Sequence, residues 1–216
     1  MNYQDAINSQ ISNGTGTPEG TTEKIPVIEK FTETDLHFRP SDLFNLKLFE
    51  ITGKGRALFI PDVGRWHRWD GRYWIADKQK TEPEQIAQDA IQNIYSMASV
   101  IEDSEKRGNM IKWGLYTESE KARKAMIAGA ERSRVFIKEL KYFDQDDYLF
   151  NLQNGTLDLK TGELRQHNPD DYITKISPCS YEPEAVSYLW NDTITRSMEG
   201  DQELIDFLQK YAGLSL

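Results

Sequence analysis

The chain has almost none of the residues that build disulfides and metal sites. A single cysteine, Cys179, excludes an internal disulfide and fits a reducing compartment. Three histidines, His37, His67 and His167, lie far apart in sequence, so no zinc-type ligand spacing exists. No run approaches the roughly 20 apolar residues that cross a bilayer. The N-terminus has no basic, apolar signal-peptide pattern. A soluble chain with no membrane partner is therefore expected.

Phosphate-handling chemistry is missing too. A phosphate-cradling loop needs glycines followed by Gly-Lys-Ser or Gly-Lys-Thr at a helix start. Gly14, Gly16 and Gly20 lack the lysine and the helix, and Gly53, Lys54 and Gly55 lack the spacing and the hydroxyl. The segment is expected to hydrolyse no nucleoside triphosphate, and to hold no catalytic residue, metal or cofactor of its own. The acids Asp144, Asp146 and Asp147 lack the glycine and the distant glutamate of a calcium loop. They read as a solvated turn, as do Asp170 and Asp171 after Pro169. A nuclease or polymerase centre on Asp144 and Asp146 is a weaker alternative.

What is present is charge, unevenly placed. The 216 residues carry a net charge of -9, all of it in residues 142–216, which hold 14 acidic and 5 basic side chains. Residues 121–141 run the other way, with seven basic and two acidic side chains. The bulk charge argues against non-specific coating of nucleic acid, but a local basic face is compatible with it.

Residues 1–35 are rich in Asn, Ser, Gly and Thr and read as a flexible linker, with too little apolar surface to offset ordering entropy. A short helix is predicted over residues 41–52, with Ser41 or Asp42 at its cap and Leu43, Leu46 and Leu48 as its apolar positions. Arg56–Ile60 reads as a strand, and Asp70 and Gly71 between aromatic runs predict a hairpin. Thr81 with Glu84 forms a capping-box pattern before a helix of 3.6-residue period that reaches about Asp103. A shorter helix holds Met110, Ile111 and Leu115. Thr117 with Glu120 is a second capping-box pattern, opening a helix through the basic segment.

Residues 148–165 predict a three-strand meander turning at Asn154–Gly155 and Thr161–Gly162. Tyr172–Ile176 reads as one more strand. Pro183 opens a helix holding Leu189, Trp190, Ile194 and Met198, and a last helix follows Gly200 and Asp201. Leu189, Trp190, Leu208 and Tyr211 read as core or as an interface with a further domain. The fold class is α+β: a central helical bundle flanked in sequence by β-hairpin and meander elements, ending in two helices. Three regions are expected: the linker over 1–35, an α+β accessory domain over 36–180, and the start of a helical collar over 181–216. The chain ends in an apolar phrase, Gln209–Leu216, which reads as the interruption of a longer protein.

Three stretches carry a family resemblance. Gly64–Trp74 (GRWHRWDGRYW) resembles the region preceding the superfamily-3 helicase in phage and plasmid primases, shared with the poxvirus primase-helicase. Asn151–His167 (NLQNGTLDLKTGELRQH) and Asp201–Leu216 (DQELIDFLQKYAGLSL) resemble it more closely, and the pieces stand in the right order. The resemblance implies a replication protein of a phage or mobile element, working in the cytoplasm of a bacterial host cell. It implies a hexameric ring for the whole protein and a monomer or weak oligomer for this segment. ATP and magnesium belong to a helicase domain that would follow. Single-stranded or forked DNA and other replication proteins, such as a primase, are the implied partners.

Single-stranded DNA binding needs cations for phosphates and flat rings for bases. Arg65, Arg68, Arg72 and Trp74 supply both around the first hairpin, and strand alternation sets residues 66 and 68 on one face and 65, 67 and 69 on the other. Equally, the tryptophans there can pack the sheet onto the helices, with the arginines at the rim. Lys121, Arg123, Lys124, Arg132 and Arg134 supply a basic stripe. The rival reading of that stripe is a solvated face paired with the acidic C-terminal third. Two functions follow: a non-catalytic module that guides DNA and positions neighbouring domains, or a protein-interaction collar without DNA affinity.

Overall fold

The computed structural model describes residues 41–213; the linker expected over 1–35, the stretch to residue 40 and residues 214–216 lie outside the described residues. Helix α1 (Asp42–Gly53) starts where Ser41 Oγ accepts a hydrogen bond from the Phe44 N–H at 3.2 Å. Of the three predicted apolar positions, Leu48 is buried and Leu46 packs against the core, but the inner face is shared with polar residues. Leu43 is exposed, whereas Asn45, Leu48, Phe49 and Thr52 are buried. The two polar residues tolerate burial because both are satisfied. Asn45 donates to Thr117 Oγ1 at 3.3 Å and accepts from the Trp113 indole at 2.9 Å, and Thr52 Oγ1 accepts from Asn93 at 3.0 Å.

Strands β1 (Ala57–Ile60), β2 (Arg65–Trp69) and β3 (Trp74–Asp77) form an antiparallel sheet in that order. Phe59 lies opposite Trp66, and Trp69 opposite Trp74. The hairpin tip is a four-residue loop rather than a two-residue turn. The Asp70 carboxylate accepts from the N–H groups of Arg72 and Tyr73, each at 2.9 Å, and Gly71 adopts φ 95°.

Helices α2 (Thr81–Ser99), α3 (Ser104–Thr117) and α4 (Glu120–Ala130) follow. Neither capping box forms. The first helix is capped from outside by Asp77, whose carboxylate accepts from Glu82 N–H at 2.8 Å. The cap of α4 is Ser119, bonded to Ala122 N–H, while Thr117 is fully buried at the end of α3 and donates to the Trp113 carbonyl at 2.8 Å. Met110 is buried as expected, but Ile111 and Leu115 face outward.

The sheet is packed on both faces. On one, Trp66 and Phe136 sit with Phe49, Ile86 and Met126 in the main core. On the other, Ile60, Trp74 and Phe143 form a second cluster with Trp69 and Tyr172. Trp66 is 0% exposed, a burial whose truncation to alanine costs about 3–5 kcal/mol.

The second sheet is the predicted meander: β4 (Leu149–Leu152), β5 (Gly155–Asp158) and β6 (Glu163–Arg165). Gly155 is required there, since a Cβ would meet the Arg165 carbonyl oxygen at 2.5 Å. The expected strand over Tyr172–Ile176 is a strap instead. Its backbone bonds alternate between the two sheets: Ile173 O accepts from Trp74 N–H at 2.8 Å, and Ser177 N–H donates to Asn151 O at 2.9 Å. No continuous ladder with one neighbour can therefore form.

Helix α5 (Tyr188–Ser197) opens at Ser187, not Pro183, and α6 (Gln202–Gly213) follows Asp201, which accepts from the N–H groups of Glu203 and Leu204. Ile194 and Ile205 are buried, but Leu189, Trp190 and Tyr211 are exposed and so are not core residues. Among the described residues, no helix is long and apolar enough to cross a membrane.

Candidate nucleic-acid interface

Helix α4 presents one apolar side, Ala122, Met126, Ile127 and Ala130, to the bundle. The opposite side, through Lys121, Lys124 and Ala128 to Arg132, is exposed, as the 3.6-residue period requires. The connector that follows, residues 131–139, is not a free loop. Phe136 is 0% exposed and meets the rings of Trp66 and Phe49 edge-on at 5.5 and 5.4 Å. Its carbonyl accepts from Phe59 N–H at 2.8 Å, and Lys138 N–H donates to Phe59 O at 3.0 Å. The connector thus adds a short pairing to the open edge of β1. The basic residues on it are held by a rigid backbone.

The acids of the connector are already engaged by internal partners. Glu131 Oε1 accepts from the Trp66 indole at 3.1 Å and from Lys80 at 2.8 Å. Glu139 pairs with Lys141 at 2.6 Å. Arg132 and Arg134, both exposed, make no ion pair among the described residues, and neither does Lys121. Lys124 pairs with Glu120 one turn earlier at 2.5 Å, a hydrogen bond that raises its ammonium pKa. That pair is fully exposed and therefore exchangeable for an incoming phosphate. Arg123 belongs to the fold: its guanidinium donates to the Glu118 carbonyl and lies 3.6 Å from Glu84.

The hairpin candidates divide. Arg65 is exposed at the start of β2, opposite Ile60, while Arg68 lies opposite Ala57, so the two arginines project from opposite faces. Arg72 is a brace. It donates to Gln153 Oε1 at 2.5 Å, tying the hairpin tip to the turn of the meander. Trp74 is corrected outright: it is 2% exposed, and its indole donates to the Pro169 carbonyl at 2.9 Å. A ring so enclosed has no face left for a base, so the packing reading of the hairpin tryptophans holds for Trp66 and Trp74.

Asp144, the residue of the weaker catalytic alternative, accepts from both the backbone N–H and the hydroxyl of Thr174, at 2.7 and 2.5 Å. Its carboxylate clamps the strap. Behind the meander, Asn151 makes a buried junction. It donates to the carbonyls of Arg72 and Lys175 at 3.1 and 3.0 Å, and its Oδ1 lies 3.2 Å from Thr156 Oγ1 and 2.9 Å from His167 Nδ1.

Lys138, one of the seven basic residues of 121–141, is held by an aromatic ring. Its ammonium sits 3.7 Å from the centre of the Tyr172 ring. The partner arrives on the strap, far along the chain, so no local signal announced it.

Residues 46–199, well over half of the chain, match the family described as D5 N terminal like. No curated protein matches the chain.

Proposed function

Starting from the premise that this chain belongs to the D5 N-terminal-like family, the N-terminal domain of phage and poxvirus D5-type primase-helicase proteins, we propose that it guides single-stranded or forked DNA and positions the neighbouring domains without chemistry of its own. The observation that carries this reading is the connector. Arg132 and Arg134 stand exposed, without an ion pair among the described residues, on a backbone bonded to β1 and anchored by Phe136, beside the exposed lysines of α4. Fixed cations that need not abandon internal partners are what phosphate contact requires. Arg65 is exposed on the same sheet but leaves from the face opposite Trp66 and Phe136.

The test is a salt titration of single-stranded DNA binding. Each phosphate contact contributes about 0.7 to the log–log slope for single strands. Arg132→Ala together with Arg134→Ala should lower the slope by about 1.4. A wild-type chain that does not bind at low salt, or a slope unchanged in the double variant, overturns the proposal.

A second reading is favoured by one specific observation. Tyr188, Leu189, Trp190, Phe207 and Tyr211 are exposed on α5 and α6, an apolar display among acidic residues. It suits a protein-interaction or collar role. Absence of DNA binding, together with capture of a basic replication partner that Trp190→Ala abolishes, would favour it.

A further inference from the structure

Helix α6 carries two apolar sides. Ile205 is buried, while Leu204, Phe207 and Tyr211 are 45%, 60% and 65% exposed. Their spacing of three and four residues places those three on one stripe. Phe207 and Tyr211 stack one turn apart with ring centres 6.3 Å from each other, so the two rings stand as one surface. The stripe is set among acids. Residues 199–213 hold four acidic side chains, Glu199, Asp201, Glu203 and Asp206, against the single basic Lys210. Asp206 accepts from Gln202 at 2.7 Å, and Asp201 caps the helix. Both partners are uncharged, so the negative charge is not cancelled.

The chain also carries a surface of the opposite sign. On the outer side of α4, Lys121, Ala125 and Ala128 stand exposed, with Lys124 beside them and Arg132 just past the helix end. The acids of that region are taken: Glu120 by Lys124, and Glu131 by Lys80 and the Trp66 indole. Among the described residues, Lys121 and Arg132 make no ion pair, and none joins α6 to this side of α4. The alanines leave room between the cations for the rings of another helix, and the lysine and arginine stems offer those rings an apolar flank. Two α6 stripes facing each other would bring like charges together, which disfavours a symmetric contact.

We propose that the α6 stripe of one copy docks on the outer side of α4 of a second copy, head to tail. Phe207 and Tyr211 lie over Ala125 and Ala128, and Glu203 and Asp206 turn towards Lys121 and Arg132. The inference goes beyond DNA binding, with which it shares those two cations, and it stands whether or not DNA binds there. Two single helix faces bury a small area, so the contact is weak and salt-dependent.

Charge reversal and mixing test it by sedimentation of the full chain. Wild type at low salt should show an association that strengthens with concentration and fades as salt is added. Lys121→Glu with Arg132→Glu, and separately Glu203→Lys with Asp206→Lys, should each sediment as a monomer, because each sets like charges against each other. An equimolar mixture of the two variants should associate again, since one contributes an unaltered α6 and the other an unaltered α4. Phe207→Ala should weaken the wild-type association about fivefold or more. A wild-type chain that stays monomeric, a reversed variant that associates alone as wild type does, or a mixture that stays monomeric overturns the inference. Should a reversal unfold the chain, Phe207→Ala carries the test: association undiminished by it is equally fatal. Oligo-dT titration separates this contact from the connector reading. Binding that depends on Arg132 and Arg134, without self-association, leaves that reading standing and ends this one. Restored association in the mixture, with no DNA binding by wild type, does the reverse.

Discussion

Gly53 and Gly108 should respond in opposite directions to the same added methyl group. Gly53 ends α1 against the core. A Cβ built there would lie 2.9 Å from Ile86 Cγ2 and 3.0 Å from Phe136 Cε1. Both neighbours are fully buried, so neither can swing into solvent, and ordinary carbon contacts are reached only by displacing one of them. Overpacking of this kind costs about 1–3 kcal/mol. The gain in helix propensity over glycine is at most about 1 kcal/mol and smaller in a last turn. The net expectation for Gly53→Ala is a loss of about 1–2 kcal/mol, a fall in melting temperature of about 2–8 °C for a chain of this size.

Gly108, inside α3, has no heavy atom of the described residues within 4 Å of the position a Cβ would take. Gly108→Ala should stabilise by about 0.5–1 kcal/mol through propensity and unfolded-state entropy. Thermal and urea unfolding followed by circular dichroism decide the matter. A Gly53→Ala variant as stable as wild type would refute the packing argument, because it would mean that Phe136 and the connector it anchors move freely.

Burial lowers the pKa of His67 below 6.5, and its Nδ1 is enclosed without a hydrogen-bond partner among the described residues. The stability it contributes is fully present above about pH 6.5 and is lost as pH falls through the lowered value. Unfolding measured between about pH 7 and 5 should therefore show a shallower decline in His67→Phe than in wild type. Tyr95, through burial and its 2.5 Å hydrogen bond to Glu118, has its phenol pushed up to about 12. Its stabilising share is present below about pH 10 and is lost as pH rises towards about 12, so ultraviolet titration should find one late-ionising phenol that Tyr95→Phe removes. Asn151→Leu should destabilise by about 2–4 kcal/mol, since it strips partners from two carbonyls and from His167 at once. An unaltered urea midpoint would refute the role given to that junction.

Local chemistry was legible without the fold. Ser41, the loop glycines at residues 71 and 155, and the alternation over residues 148–165 act through neighbours within a few positions, and helix α1, the first hairpin and the second meander stand where those signals put them. The three family-like stretches likewise lay in the sequence alone, and the family match covers two of them up to residue 199. Both capping-box patterns lost to other groups: Asp77, four residues upstream, displaced Thr81, and Thr117 was drawn into the core by Asn45 from far along the chain.

Burial, by contrast, is a property of pairs far apart in the chain. The same tryptophan-rich hairpin reads equally as a DNA platform or as core, and only the Pro169 carbonyl and the second cluster enclose Trp74. The seven cations of residues 121–141 look alike in sequence. Tertiary structure commits Arg123 to Glu84, leaves Arg132 and Arg134 without an ion pair among the described residues, and brings Tyr172 across the chain to hold Lys138 beside Tyr142. Periodicity fixes which way a side chain leaves the backbone, but what waits there is decided by elements that sequence proximity does not connect.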